Sequence, residues 1–336
     1  MISRIPSSPP LILPLASLEH RPTFSVMIPS YNCIQYLSKT IESVLMQDMG
    51  PLKMQIEVID DCSKDGNVEE LVKDIGKGRV NFYQQKENVG SLRNFETCIN
   101  RAKGKYIHLL HGDDLVKKGF YNEIESLFQK FPTIGSAITN YNWVNEKEIE
   151  NLPSQEILKE PGIIDNWLLK IASKQMVQPP AVVVKRSVYE ELGSFFGVHY
   201  GEDWEMWIRI ASKYPVGYSP KCLATYRGGH STNISSDYVA KGKNIDDILR
   251  VIDIVQDYLP FGKRKEIKKA AKNNFAISYA KSAYRILKVE KNKKLAQILV
   301  KGSLKLSRNI RTVYWISCLY VDFEFIRRNI KKLVRR

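Results

Sequence analysis

Short apolar runs alternate along the chain with longer stretches in which apolar residues recur every three or four positions. Phe24-Ser-Val-Met-Ile28 is a compact apolar run that stops at Pro29, the pattern of a buried strand. From Ile34 to Met46 the apolar positions Ile34, Leu37, Ile41, Val44 and Leu45 follow helical spacing. Gln55–Ile59 predicts a second strand, halted by Asp60-Asp61, and Glu69–Ile75 a second helix. Arg79–Tyr83, Asn94–Ala102 and Tyr106–Leu110 continue the alternation as strand, helix and strand. Strands spaced by helices at roughly 25-residue intervals imply parallel βαβ units. In such sheets ligands bind at the carboxyl ends of the strands. Pro29-Ser-Tyr-Asn32, Asp60-Asp61 and Asp113-Asp114 all fall at those ends and should converge on one crevice.

Further on, Phe120–Phe131 predicts a helix closed by Pro132, and Ile134–Tyr141 another strand. Residues 145–165 are polar with scattered proline and predict an irregular connection. Trp167–Ala172 is helical, Ala181–Val184 a short strand, and Lys185–Gly193 a helix stopped by glycine. Gly201–Tyr214 reads as a helix whose acidic first turn complements its dipole. Residues 1–22, rich in proline and serine, predict a flexible leader. Residues 23–236 form the main α/β domain, and 237–336 a basic, all-helical C-terminal extension.

Charge sharpens that division. The net charge is +15, but residues 237–336 hold 25 Lys/Arg against 9 Asp/Glu, and the rest of the chain is close to neutral. The basic excess therefore says nothing about the chemistry of the main domain. It raises two readings of the C-terminal region, a solvated helical bundle or an anionic membrane surface contact. Val313–Ile326 is rich in aromatics and is followed by Arg327, Arg328, Lys331, Lys332, Arg335 and Arg336, which suits the second. No nucleic-acid recognition motif accompanies the charge, so a nucleic-acid partner is not expected. The cysteines Cys33, Cys62, Cys98, Cys222 and Cys318 are isolated, as in buried thiols of a reducing compartment. No apolar run approaches the length of a membrane-spanning helix. The expected location is cytoplasmic, with the inner face of the cell membrane as a peripheral site.

The chemistry concentrates in Tyr106-Ile-His-Leu-Leu-His-Gly-Asp-Asp114, where an apolar run ends in two adjacent carboxylates. Two like charges at a strand end cost too much unless a cation neutralises them. A divalent metal carrying a phosphorylated ligand is the natural partner. Around that pair stand Pro29-Ser-Tyr-Asn32, Ile59-Asp-Asp-Cys-Ser-Lys-Asp-Gly66, Asn88-Val-Gly-Ser-Leu-Arg-Asn94 and Gly201-Glu-Asp-Trp204, in that order. Each is weak alone. Taken in order over residues 23–233, they strongly resemble the inverting, nucleotide-sugar-dependent glycosyltransferases of family 2, whose catalytic domain has the GT-A fold.

That resemblance implies a Rossmann-like, mostly parallel sheet with flanking helices. It implies transfer of a sugar from a nucleotide-diphosphate donor, a UDP-sugar first, to a hydroxyl of a glycan or lipid-linked glycan acceptor in cell-surface glycan synthesis. Pro29, Ser30, Tyr31 and Asn32 would line the nucleoside pocket. Asp61 would accept from the pyrimidine ring. Gly90 and Arg93 belong to the loop closing over the nucleotide, and Arg227 would meet the diphosphate. Asp113, with Asp114 beside it, would hold Mn or Mg, and His230 is a further candidate ligand. Asp203 matches the catalytic base, with Glu202 next to it. The family's metal motif commonly reads Asp-x-Asp, whereas His111 stands at its first position here. The competing class is a catalytically silent nucleotide-sugar-binding module that scaffolds a membrane glycan assembly. The intact Glu202-Asp203 pair argues against it. Trp204 is a candidate for acceptor stacking, against the plainer reading of a core residue.

Overall fold

The computed structural model describes residues 3–16, 20–145, 149–228 and 238–320. The chain divides into two compact units, residues 1–171 with 175–236, and residues 172–174 with 237–336.

The first unit is built on one mixed sheet. Its strands are β1 (Phe24–Ser30), β2 (Met54–Asp60), β3 (Asn81–Gln84), β4 (Tyr106–Leu109), β5 (Leu115–Val116), β6 (Ser136–Val144), β7 (Glu150–Pro153), β8 (Gly162–Ile163), β9 (Val182–Lys185) and β10 (Val216–Arg227). They run in the order β3-β2-β1-β4-β9-β6-β10-β5, with β7 on β6 and β8 on β10. The half from β3 to β4 is parallel, as the βαβ spacing demands. β9 is antiparallel to both β4 and β6, while β6 and β10 are parallel. Every residue of β1 is buried. A parallel strand covered on both faces reads as a continuous apolar run, and Phe24–Ile28 does so.

The helices of this unit are α1 (Ile34–Leu45), α2 (Val68–Gly76), α3 (Ser91–Arg101), α4 (Phe120–Lys130), α5 (Trp167–Ser173), α6 (Arg186–Leu192) and α7 (Glu202–Ala211). In α1 the buried positions Leu37, Ile41 and Val44 are those the spacing marked. Asn67 caps α2 by accepting from the Glu70 N–H.

Two expectations are corrected here. The leader is not loose along residues 3–14. Ile12 is fully buried, and backbone carbonyls of Pro6, Pro10 and Leu13 accept from Gly197 N, Ser194 N and the Arg186 guanidinium. Proline-rich chain has few donors of its own, so it orders when a fold supplies them at the right spacing. The connection over 145–165 is not wholly irregular either, since it contains β7 and β8. β10 itself, the longest strand, was invisible to periodicity. Pro220 and Lys221 interrupt it, and its register to β6 shifts between Ser219 and Ala224.

The second unit is helical, with α8 (Asn244–Ile254), α9 (Arg264–Arg285), α10 (Lys293–Leu306) and α11 (Ile310–Tyr320). It packs through small and branched residues, among them Ile248, Ala276, Ala280 and Leu299. On α11, Ile310, Val313, Tyr314 and Tyr320 are exposed. Among the described residues no helix is long and apolar enough to cross a membrane.

Candidate active site

The carboxyl ends of β1, β2 and β4 are tied together by short polar bonds. The loop after β1 turns at Asn32, whose φ is +49°. Its N–H donates to Ser63 Oγ at 2.9 Å, and its Oδ1 accepts from Lys64 N at 2.8 Å. Asp65 accepts from the Ile34 N–H at the start of α1. Pro29 O accepts from Gly112 N, so the β4 turn is pinned to the end of β1. Ser30 is buried and Tyr31 presents its ring to solvent.

At the end of β2 the two aspartates part company. Asp60 is a turn residue, fully buried, accepting from Ser63 N, Ser63 Oγ and Gln84 Nε2. Asp61 reaches the loop before α3. It accepts from Asn88 Nδ2 at 2.9 Å, Val89 N at 2.7 Å and Gly90 N at 2.9 Å. Burial pushes its carboxyl above the usual range, and those backbone donors pull it back. A carboxylate has about four acceptor sites, so one remains for a ligand N–H.

Gly90 holds φ at +90°, and a Cβ there would lie 3.0 Å from Arg4 Nε. Arg4 also donates to Asn88 Oδ1. Arg93 is turned to Glu96, at 2.6 Å, and to the carbonyl of Ser3, at 2.9 Å. The leader thus sits on the loop that the motif order assigns to nucleotide closure, a contact no local pattern announced.

The turn after β4 gathers His111, Asp113 and Asp114, with one ligand-type atom from each within 4.8 Å of the others. The His111 ring stacks on Phe95, centroids 5.1 Å apart. Burial lowers its pKa, which keeps an imidazole lone pair free for a cation. Asp114 is buried. Its Oδ1 accepts from Arg227 N at 2.8 Å, but its Oδ2 has no hydrogen-bond partner. Burial, then the neighbouring Asp113 charge, drives its carboxyl well above the usual range. An orphaned carboxylate oxygen beside a second carboxylate and an imidazole fits a divalent cation, with Mn or Mg matching the mainly oxygen donor set. Arg227 closes β10 rather than standing in a loop. It is buried, donates through Nε to Asp113 O at 3.0 Å, and lies over the Tyr36 ring. Its placement supports the acidic turn. His230 lies outside the described residues.

Asp203 stands in the first turn of α7, after Gly201. Its Oδ1 accepts from Trp204 N at 2.7 Å and its Oδ2 from Gln175 Nε2 at 2.9 Å. Burial pushes its carboxyl up to about 6, while those donors oppose the shift. Gln175 was not marked by any motif, because it precedes Asp203 by 28 residues. Glu202 is half-buried beside it. Trp204 is fully buried with its indole N–H on Ile171 O, so it is a core residue and not an acceptor platform. Tyr226, half-buried at the end of β10, joins the two carboxylate groups. Burial raises its phenol pKa, and the charges of Asp114, Asp113 and Asp203 add to the shift. The metal-type cluster and Asp203 therefore share one electrostatic neighbourhood. A groove of about 680 Å³ lies elsewhere, lined by Met54, Gln55, Arg79 and Arg101 near the amino end of β2.

Comparison with known proteins agrees with this geometry. The model of the family described as glycosyl transferase family 2 matches residues 25–193, just over half of the chain. An uncharacterized glycosyltransferase of Rickettsia felis is 32% identical over 221 residues, 65% of this chain and 35% of that protein. The chain thus spans about a third of that relative's length. A second, from Haemophilus influenzae, is 26% identical over 230 residues, 66% of this chain and 70% of the relative. Among solved structures, S. aureus TarS 1–349 in complex with UDP-GlcNAc superposes with a TM-score of 0.64 at 17% identity, covering 89% of each chain. The mannosyltransferase PcManGT from Pyrobaculum calidifontis, in complex with GDP-Man and Mn2+, gives 0.53 at 16% identity, over 89% of this chain and 80% of that one. These structural likenesses show a shared fold.

Proposed function

The chain belongs to glycosyl transferase family 2 and has the GT-A fold; from that premise we propose that it is a metal-dependent, inverting glycosyltransferase using a nucleotide-diphosphate sugar, a UDP-sugar first. The observation that carries the reading is the orphaned Asp114 oxygen beside His111 and Asp113, in the same field as an elevated Asp203.

His111, Asp113 and Asp114 would hold Mn or Mg. When bound, such a cation stabilises the negative charge that develops on a departing diphosphate. Arg227 keeps the acidic turn in place from behind. Asp61 offers its remaining acceptor site to an N–H of the base, and Tyr31 an aromatic face. Pro29, Ser30 and Asn32 set the floor of that pocket through the β1–β2 bonds. Arg93 is placed to exchange Glu96 and Ser3 for a phosphate when the donor enters.

Asp203 takes the proton of the acceptor hydroxyl as that oxygen attacks the anomeric carbon. A carboxyl near 6 is mostly ionised at neutral pH and a better proton acceptor than one at 3.8. A single catalytic carboxylate besides the metal ligands suits inversion, where no glycosyl-enzyme forms. Glu202 contributes negative charge in the same helical turn. The acceptor reading is a surface glycan or lipid-linked glycan. Exposed apolar and aromatic residues on α11 support a peripheral membrane contact for the second unit. The basic residues 327–336 lie outside the described residues.

The test is donor cleavage by the purified chain with UDP-, GDP- and dTDP-sugars and Mn or Mg. The expected result is slow, metal-dependent cleavage of one donor, lost in Asp113→Ala. Asp203→Asn should keep donor binding and lose transfer. Failure to bind any donor would sink the reading.

A further inference from the structure

We propose that Trp143 and Tyr226 form an acceptor subsite, an aromatic platform on which a neutral hexopyranose ring stacks beside Asp203. The inference rests on the glycosyltransferase reading and names the chemical class of its acceptor.

Trp143 is unlike the other described tryptophans of this unit. Trp167, Trp204 and Trp207 are buried, whereas Trp143 is 38% exposed. A large aromatic left in solvent forgoes its burial, and a ligand face is the usual reason at the mouth of a site. The ring is also fixed. The parallel register of β6 and β10 sets Trp143 opposite Tyr226, and the rings meet edge to face, 4.7 Å apart at 80°. Gly228 lets the backbone close under it, since a Cβ there would fall 2.7 Å from Trp143 Cζ3. The platform is therefore preorganised rather than a loose surface residue.

Its position supplies the occupant. Tyr226 is followed by Arg227, whose N–H is bonded to Asp114 of the metal-type turn. The Tyr226 phenol feels Asp113, Asp114 and Asp203, and Tyr141 also feels Asp203. Trp143 thus flanks the end of β10 that is bonded to the metal-type turn. Neighbouring β7, antiparallel to β6, adds Leu152, 88% exposed, and Ile149 just before it is exposed too. A pyranose has an apolar C–H face for the indole and a hydroxyl edge for a carboxylate. Asp203, mostly ionised at neutral pH, repels a uronic or phosphorylated ring, which selects a neutral sugar.

The probes are cello-, chito- and manno-oligosaccharides, added to the full chain with indole-resolved NMR as readout. One of them should shift the Trp143 indole signal, with no shift in the Trp204 signal. Trp143→Ala should abolish that binding, and Trp143→Phe should retain it. Where the bound sugar stimulates donor turnover, Trp143→Ala should raise the ratio of acceptor KM to donor KM roughly tenfold. Failure of every probe to move the Trp143 signal overturns the platform. So does an unchanged KM ratio in Trp143→Ala. UDP binding followed on the same sample separates the two readings. Sugar bound at Trp143 without any nucleotide binding would keep the platform and overturn the transferase.

Discussion

The ends of β2 and β4 carry the same two letters, Asp-Asp, and put them to opposite uses. At β2 backbone and side-chain donors fill most of the acceptor sites. Asp60 collects three hydrogen bonds in its turn, and Asp61 collects three from the 88–90 loop. At β4 Asp114 Oδ1 takes one N–H, from Arg227, and its Oδ2 is left bare in the interior. A carboxylate with both oxygens hydrogen-bonded is held in place, while a bare oxygen beside another carboxylate suits a cation. The Asp-Asp signature marks a strand end in both cases, and the local donor count decides the chemistry.

The comparison breaks most sharply at Asp114. Asp114→Asn keeps the shape and removes the carboxylate that would hold the cation, so metal-dependent turnover should fall at least about a hundredfold. The metal-free protein should keep its urea midpoint in the same variant, because burial already drives that carboxyl toward its neutral form. A loss of stability would show that the β4 pair is as saturated as the β2 pair.

Asp61→Ala tests the other arm. Three donors lose one buried acceptor, at a cost of about 3 kcal/mol in urea unfolding, with or without metal. A penalty that appeared only in the presence of metal would contradict the division.

Asp203 gives a smaller effect with a defined sign. Its folded pKa of about 6 lies above the ordinary 3.8. The ionised form is the base, so kcat/KM should fall tenfold per pH unit below about 6 and level off above it. The same shift makes ionisation destabilising, so this group's contribution to stability declines as pH rises from 3.8 through about 6. The Gln175 bond lowers the pKa, so Gln175→Leu should move the acidic limb of the rate profile to higher pH.

The smallest effect belongs to the leader. Arg4→Ala removes the bond to Asn88 and a positive field on Asp61. Calorimetry should show donor affinity altered a few-fold and stability altered by under about 1 kcal/mol, as at most surface positions.

Much of this is legible in the sequence. The strands from Phe24, Gln55 and Tyr106 were marked by short apolar runs, and α1 by a clean helical stripe. Asp61, Asp113 and Asp203 stood out because charge at strand ends and helix starts is local information. β10 was not legible, since its register is held across a bulge by β6 and not by its own alternation. Gln175 and the Trp143–Tyr226 pair were missed for a related reason. Each is defined by a partner distant in sequence, 28 residues away for Gln175 and on another strand for Trp143.

The chain alone therefore determined which residue types stand at the ends of which elements, because periods of two and 3.6 are written in neighbouring residues. Only the tertiary structure decided which carboxylate is satisfied and which is bare. Asp61 finds its donors 27 to 29 residues along the chain, and Asp114 finds its one N–H 113 residues away. Hydrogen-bond supply at that range is set by how strands and loops meet in space.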